Sequence, residues 1–217
     1  MTEIAIQNLS KTIKSNAVIQ DISMNLKSGV IYGFKGINGS GKTMLMRLIC
    51  GLIRPTEGEI LINGKTLGKD LSFPESVGVF LENPAFLDSY SGFQNLKILA
   101  SIKSVATDED IRATLSRVGL SPNDKKKYRK YSLGMKQRLG IAAAIMEKPD
   151  IVILDEPTNS LDADGVTLVK QIVQEEKARG ALVILSCHDG ELLKGLSDEI
   201  FLLESGHLAE HTVRDEI

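Results

Sequence analysis

The chain has 217 residues, with 26 Lys or Arg against 28 Asp or Glu, a formal net charge of −2. Hydrophobic residues make up 42% and charged residues 25%, which excludes a disordered or collagen-like polymer and is enough apolar mass for a sizeable core. The slight acidity removes any general electrostatic case for a nucleic-acid coat, although a local basic patch stays open.

Met1-Thr-Glu-Ile opens with neither a basic start nor an apolar run, so no secretory leader is expected. Ile4 and Ile6 alternate with polar neighbours, as do Ile22, Met24 and Leu26, and both stretches read as strands. Val30–Phe34 reads as a buried strand leading into a glycine-rich loop, after which a helix is expected from Lys42 to a stop at Gly51. Glu59–Ile62 followed by Asn63-Gly64 has the form of a hairpin with a tight turn. These pieces predict a small antiparallel sheet at the front.

Residues 86–149 form the helical part. Thr107 and Asp110 resemble a capping box, with Ile111, Leu115 and Val118 on one face and Gly119 as the stop. Ser132 can cap a second helix that carries Met135, Leu139, Ala142 and Met146 on one face. After Pro149 the pattern runs strand 151–154, helix 164–179 closed by Gly180, strand 182–186. Continuous apolar strands alternating with helices predict a parallel sheet covered on both faces. The apolar runs are strand-sized, far short of the roughly 20 residues of a membrane span, so any membrane role is expected to go through a partner. Cys50 and Cys187 are distant and lack metal-ligand spacing, which favours a reducing compartment.

Two motifs carry chemistry on their own. Gly36-Ile-Asn-Gly-Ser-Gly-Lys-Thr43 matches the phosphate-binding P-loop pattern. Its glycines let backbone N–H groups wrap a polyphosphate, the helix after it aims its positive end at the same phosphates, Lys42 reaches the β- and γ-phosphates, and the Thr43 hydroxyl binds Mg²⁺. Ile151-Val-Ile-Leu-Asp-Glu156 is an apolar strand ending in two carboxylates. Asp155 can orient Mg²⁺ beside Thr43, and Glu156 can polarise a water for attack on the γ-phosphate.

Tyr131-Ser-Leu-Gly-Met-Lys-Gln-Arg138, 23 residues ahead of Asp155 when counted from Ser132, resembles the signature loop of the ATP-binding cassette (ABC) ATPases, usually Leu-Ser-Gly-Gly-Gln. Ser132 and Gly134 keep that pattern and the other positions depart from it. Asn159-Ser-Leu-Asp162 resembles the D-loop, and His188 sits where the family has its switch histidine, at the carboxyl end of a strand. With five motifs in the family's order, the resemblance covers essentially the whole chain. It implies an α/β P-loop NTPase fold, with a RecA-like parallel-sheet core, an N-terminal antiparallel β subdomain and an inserted helical subdomain. Residues 1–217 would form one nucleotide-binding domain, with 1–85 and 150–217 as core and 86–149 as the helical insertion. It implies ATP and Mg²⁺ as cofactors and hydrolysis of ATP coupled to transport. Gly36, Asn38, Gly39, Ser40, Gly41, Lys42 and Thr43 would hold the nucleotide, with Thr43, Asp155 and Glu82 toward the metal and Lys42, Glu156 and His188 as the catalytic set. Ser132 and Gly134 would serve the ATP of a partner, a second copy or a related ABC ATPase. A separate polytopic permease would carry the substrate path and dock on the helical middle, leaving this chain cytoplasmic and peripheral on the membrane's inner face. No nucleic-acid partner is expected.

Three positions depart from the family pattern. Ile13 stands where an aromatic often stacks on adenine, which predicts apolar contact with the base and weaker selectivity. Glu82, in Val77-Gly-Val-Phe-Leu-Glu-Asn-Pro84, replaces the usual glutamine, keeping an oxygen for the metal but adding charge near the γ-phosphate. With the variant signature loop, it makes the chain similar to the bacitracin- and lantibiotic-resistance exporters, the alternative being a drifted loop in some other ABC-type exporter, so the implied cargo is a peptide antibiotic or another hydrophobic or peptidic compound. The run Lys125–Lys130 offers contact with lipid headgroups or an acidic partner, against the plainer reading of a solvated helix end. Two other classes compete. A soluble ABC-type ATPase acting on DNA or ribosomes usually has coiled-coil insertions or two cassettes, and this chain has neither. A GTPase or kinase is opposed by the absence of an Asn-Lys-x-Asp pattern and by the Tyr131–Gly134 segment.

Overall fold

The computed structural model describes residues 1–82 and 85–213; Asn83 and Pro84, at the end of the Val77–Pro84 segment, lie outside the described residues. The chain folds around two sheets. In the first, β1 (Glu3–Ile13), β2 (Asn16–Lys27), β4 (Glu57–Ile62) and β5 (Lys65–Thr66) are antiparallel in the order β2-β1-β4-β5, as the alternation predicts. Ile4 and Ile6 of β1 and Ile22, Met24 and Leu26 of β2 are buried, so the period-2 apolar residues all face one side. Asn63 and Gly64 join β4 to β5 with φ of 51° and 78°, the two positive values that a mirror-image hairpin turn requires.

The second sheet contains β3 (Ile31–Lys35), β6 (Val77–Phe80), β7 (Ile151–Leu154), β8 (Leu182–Ser186), β9 (Glu199–Glu204) and β10 (His207–Val213), in the order β10-β9-β3-β8-β7-β6. All neighbours are parallel except β10, which folds back antiparallel on β9. Every residue of β7 and β8 is buried, because helices or the first sheet cover both faces. Alternate residues feed two cores. Ile151, Ile153, Leu182 and Ile184 join α1 (Lys42–Ile49) and the antiparallel sheet. Val152, Leu154, Val183 and Leu185 join α4 (Leu133–Ile145) and α5 (Ala163–Ala178). Each fully buried Leu or Ile contributes about 1.5–3 kcal/mol.

Between β6 and β7 the chain is helical: α2 (Gly92–Lys103), α3 (Asp108–Arg117), a single 3₁₀ turn at Tyr128–Lys130, and α4. Thr107 and Asp110 cap α3 reciprocally, as the sequence predicts. The Thr107 hydroxyl and N–H, with Lys148, hold the Asp110 carboxyl down to about 2. Ser91 and Gln94 form a second capping box on α2, a signal the sequence reading does not use. Glu176 is buried on α5 and meets both Arg117 of α3 and Arg179, which also donates to the carbonyls of Lys148 and Pro149. The group fastens α3, α5 and the approach to β7 at one point. α6 (Gly190–Leu196), capped by Asp189, precedes β9. Cys50 and Cys187 are free and buried. Among the described residues no helix is long and apolar enough to cross a membrane. The basic run is exposed at Lys125, Lys126, Lys127, Arg129 and Lys130 around a buried Tyr128.

Candidate active site

The strand order decides the site. β3, β8, β7 and β6 lie side by side, so their carboxyl ends bring together residues 36–43, 186–188, 155–156 and 82. Ligands of open α/β sheets bind at such ends.

β3 runs out at Lys35, and the loop turns through Gly36 (φ 154°), Gly39 (φ 84°) and Gly41 (φ 109°) into α1. Glycine is required at two of these. A Cβ on Gly36 would stand 2.4 Å from the Leu203 carbonyl oxygen, and one on Gly41 2.9 Å from the Val18 carbonyl oxygen. Asn38 and Gly39 are exposed, whereas Ser40 is buried with a hydroxyl that has no hydrogen-bond partner. The Lys42 ammonium folds back into the loop and donates to the carbonyls of Gly36 (2.7 Å) and Ile37 (3.1 Å).

The Thr43 hydroxyl donates to Asp155 Oδ2 at 2.6 Å, across 112 residues of sequence. Asp155 Oδ1 accepts from the Ser186 hydroxyl at 2.5 Å, and the same Ser186 oxygen accepts the Glu156 N–H at 2.9 Å. Glu156 takes a left-handed φ of 50°, and its carbonyl accepts from Gln137 Nε2 at 2.8 Å. The His188 ring Nε2 stands 3.1 Å from Glu156 Oε1, and the His188 backbone N–H donates to Oε2 at 3.3 Å. Burial pushes the Glu156 carboxyl up, with His188 and Lys42 pulling the other way.

The sequence reading therefore brings Lys42, Thr43, Asp155, Glu156 and His188 to one place. It misses Ser186, read only as a strand end, and gives Gln137 no role beyond its place in the Tyr131–Arg138 segment. Glu82 lies at the same end of the sheet but is exposed and paired with Arg47 at 2.5 Å. Ile13 sits at the tip of the β1–β2 hairpin, opposite Asn16 and partly exposed. Ser132 and Gly134 lie apart, in a surface depression lined also by Leu133, Arg138, Ser160 and Asp162. There Ser132 Oγ caps α4 by accepting the Met135 N–H at 3.2 Å, and a Cβ on Gly134 would lie 3.2 Å from the Ser160 carbonyl oxygen.

The residues present fit a magnesium nucleotide. Thr43 and Asp155 offer two hard oxygens to a cation that usually takes one or two protein oxygens, phosphate oxygens and water. Among the described residues no group of three or more His, Cys, Asp or Glu gathers as a self-sufficient metal cage. The unpartnered Ser40 hydroxyl and the looped-back Lys42 are donors suited to an anion.

Comparison with known proteins places the chain in a family. A family model described as ABC transporter matches residues 19–159. An uncharacterised ABC transporter ATP-binding protein of Bacillus subtilis is 51% identical over 94% of this chain and 94% of its own. The bacitracin transport ATP-binding protein of Enterococcus faecalis is 34% identical over 97% of this chain and 69% of its own. A solved structure of an ATP-binding subunit of an ABC transporter superposes with a TM-score of 0.87 at 25% identity, covering 98% of this chain and 90% of that one.

Proposed function

Because this chain belongs to the ABC transporter family, as an ATP-binding subunit with ATPase activity, we propose that it powers a separate membrane permease that exports a peptide antibiotic or a similar peptidic compound. The carrying observation is the meeting of Thr43, Asp155, Glu156 and His188 at adjacent strand ends beside the glycine loop. The likeness to a bacitracin transport protein supports the exporter branch, as do Glu82 and the Tyr131–Met135 variant of the signature loop.

In this reading Gly36, Asn38, Gly39, Ser40 and Gly41 surround the phosphates with backbone N–H groups, and Lys42 leaves its loop carbonyls for the β- and γ-oxygens. Ile13 lies against the base. Thr43 and Asp155 would hold Mg²⁺, and Glu82, which is paired with Arg47, would offer it a further oxygen. The ion would neutralise charge on the phosphates when bound. Glu156 takes a proton from the attacking water, burial having raised its affinity for protons above that of an ordinary carboxylate. His188 orients Glu156 and borders the γ-phosphate.

Ser132 and Gly134 serve a different nucleotide, the one held by a partner cassette, identical or related, so both sites are completed by closure of a dimer. The chain is then one nucleotide-binding domain on the inner face of the membrane. Its helical segment 86–149 receives the permease.

The test is a strain lacking this chain, challenged with bacitracin and with a lantibiotic. Expected is a sensitivity restored by the parent chain and not by Glu156→Gln, with a polytopic membrane protein co-purifying in stoichiometric yield on tagged Glu156→Gln in MgATP. Unchanged sensitivity to both would end the peptide-antibiotic reading. Recovery of ribosomes or nucleic acid instead would end the transporter reading.

A further inference from the structure

Glu156 is gripped on both sides of its main chain. It carries a Cβ yet holds a φ of 50°, a region that side chains disfavour and that persists only where surroundings over-determine it. Its N–H is held by Ser186, which is 0% exposed, and its carbonyl by Gln137, which is 8% exposed. The two holders come from different elements. Ser186 ends β8 and belongs to the sheet. Gln137 lies on α4, five residues beyond Ser132, roughly 7.5 Å along a rigid helix.

α4 touches the same loop a second time. Gly134, at its head, packs against the carbonyl of Ser160, another non-glycine residue in the left-handed region, with φ of 62°. Loop 156–160 is thus bounded by two left-handed residues, each abutting α4. A shift of the α4 head moves the Glu156 peptide, and with it a carboxylate whose working position is set by His188.

We propose that Gln137 is a positioning residue for Glu156, one that makes the set of that carboxylate depend on what is bound at the head of α4. Since that head faces the partner's nucleotide in the reading above, on which this inference rests, each site learns through Gln137 whether the opposite one is filled. A side-chain amide suits the role: it donates one directional bond to a carbonyl, buried from competing water.

Gln137→Met keeps the length and burial of the side chain and removes the donor; Gln137→Leu is the second variant should Met not fold. Turnover is followed against ATP concentration. ATP-driven dimerisation is followed by size-exclusion chromatography on Glu156→Gln with and without Gln137→Met. Expected are a kcat lowered roughly tenfold to a hundredfold, the upper figure being that of a misplacement of about 1 Å, a KM within about twofold and a Hill coefficient falling toward 1. The double variant is expected to dimerise with ATP as well as Glu156→Gln alone, because binding precedes the step that Gln137 serves. Parental kcat and Hill coefficient beside an inactive Glu156→Gln would overturn the inference alone. So would loss of ATP-driven dimerisation in the double variant, which would make Gln137 part of the binding face. An active Glu156→Gln would overturn the functional reading first, and this inference with it.

Discussion

Arg47 and Glu82 meet at 2.5 Å, joining the helix that follows the glycine loop to the carboxyl end of β6. The pair spans the position where glutamine is usual in the family. Its side chains are 34% and 61% exposed, so solvent screens the attraction and the pair contributes at most about 1 kcal/mol. A contact this weak holds Glu82 at rest and releases it readily. Glu82→Gln is expected to lower unfolding stability by less than about 1 kcal/mol in urea, with the difference shrinking in high salt. A loss of several kcal/mol would mean that Glu82 is a structural residue rather than a switchable one.

Ser186 supports two neighbours with one oxygen. Ser186→Ala leaves Asp155 Oδ1 without its donor and the Glu156 N–H without its acceptor, both in a buried setting. The expected cost is about 1–3 kcal/mol in denaturant unfolding, the usual penalty for stranding buried polar groups. A cost under half a kcal/mol would indicate that water fills the vacated place.

The Glu156 carboxyl also predicts a pH dependence. Burial raises its folded-state pKa above the ordinary 4.5. A raised carboxyl stabilises the fold below the unfolded value and loses that contribution as pH rises through the folded value. Glu156→Gln lacks the term, so its stability relative to the parent is expected to grow as pH climbs from 4.5 toward neutrality. A difference that stays flat over that range would remove the raised pKa. Activity runs the opposite way, since the base must be ionised, and the acid limb of turnover is expected above pH 4.5.

Gly78 sets how closely the helical segment approaches the sheet. A Cβ there would fall 1.7 Å from the Ala144 carbonyl oxygen, a backbone atom of α4 that cannot swing aside. Gly78→Ala must push α4 off β6, against a core that tolerates added volume poorly. We expect a loss of about 3 kcal/mol or an insoluble product, measured as the urea midpoint or soluble yield. A variant with the parental midpoint would show that α4 slides freely.

Much of this arrangement is written locally. The glycine loop, the strand 151–154 and the Thr107–Asp110 cap depend on neighbours within a few residues, and each occurs where the spacing puts it. The start of α2 is local too, since Ser91 and Gln94 form a capping box three residues apart. The β9–β10 hairpin and the contacts of Glu156 are not legible. Gln137 and Ser186 reach Glu156 from 19 and 30 residues away, and nothing in a helical stripe or a strand end announces which backbone group a side chain will meet. The Arg47–Glu82 pair is likewise a product of strand order, across 35 residues.

The resting position of Lys42 gives the loop a threshold. Its ammonium already has two oxygen acceptors from the loop's own backbone, so an arriving anion competes with them instead of meeting a bare charge. A lone orthophosphate offers little beyond the acceptors it displaces. In the proposed reading a triphosphate would displace them and meet the Ser40 and Thr43 hydroxyls as well, contacts that a shorter anion lacks. Selection by phosphate chain length would then begin before any base is read.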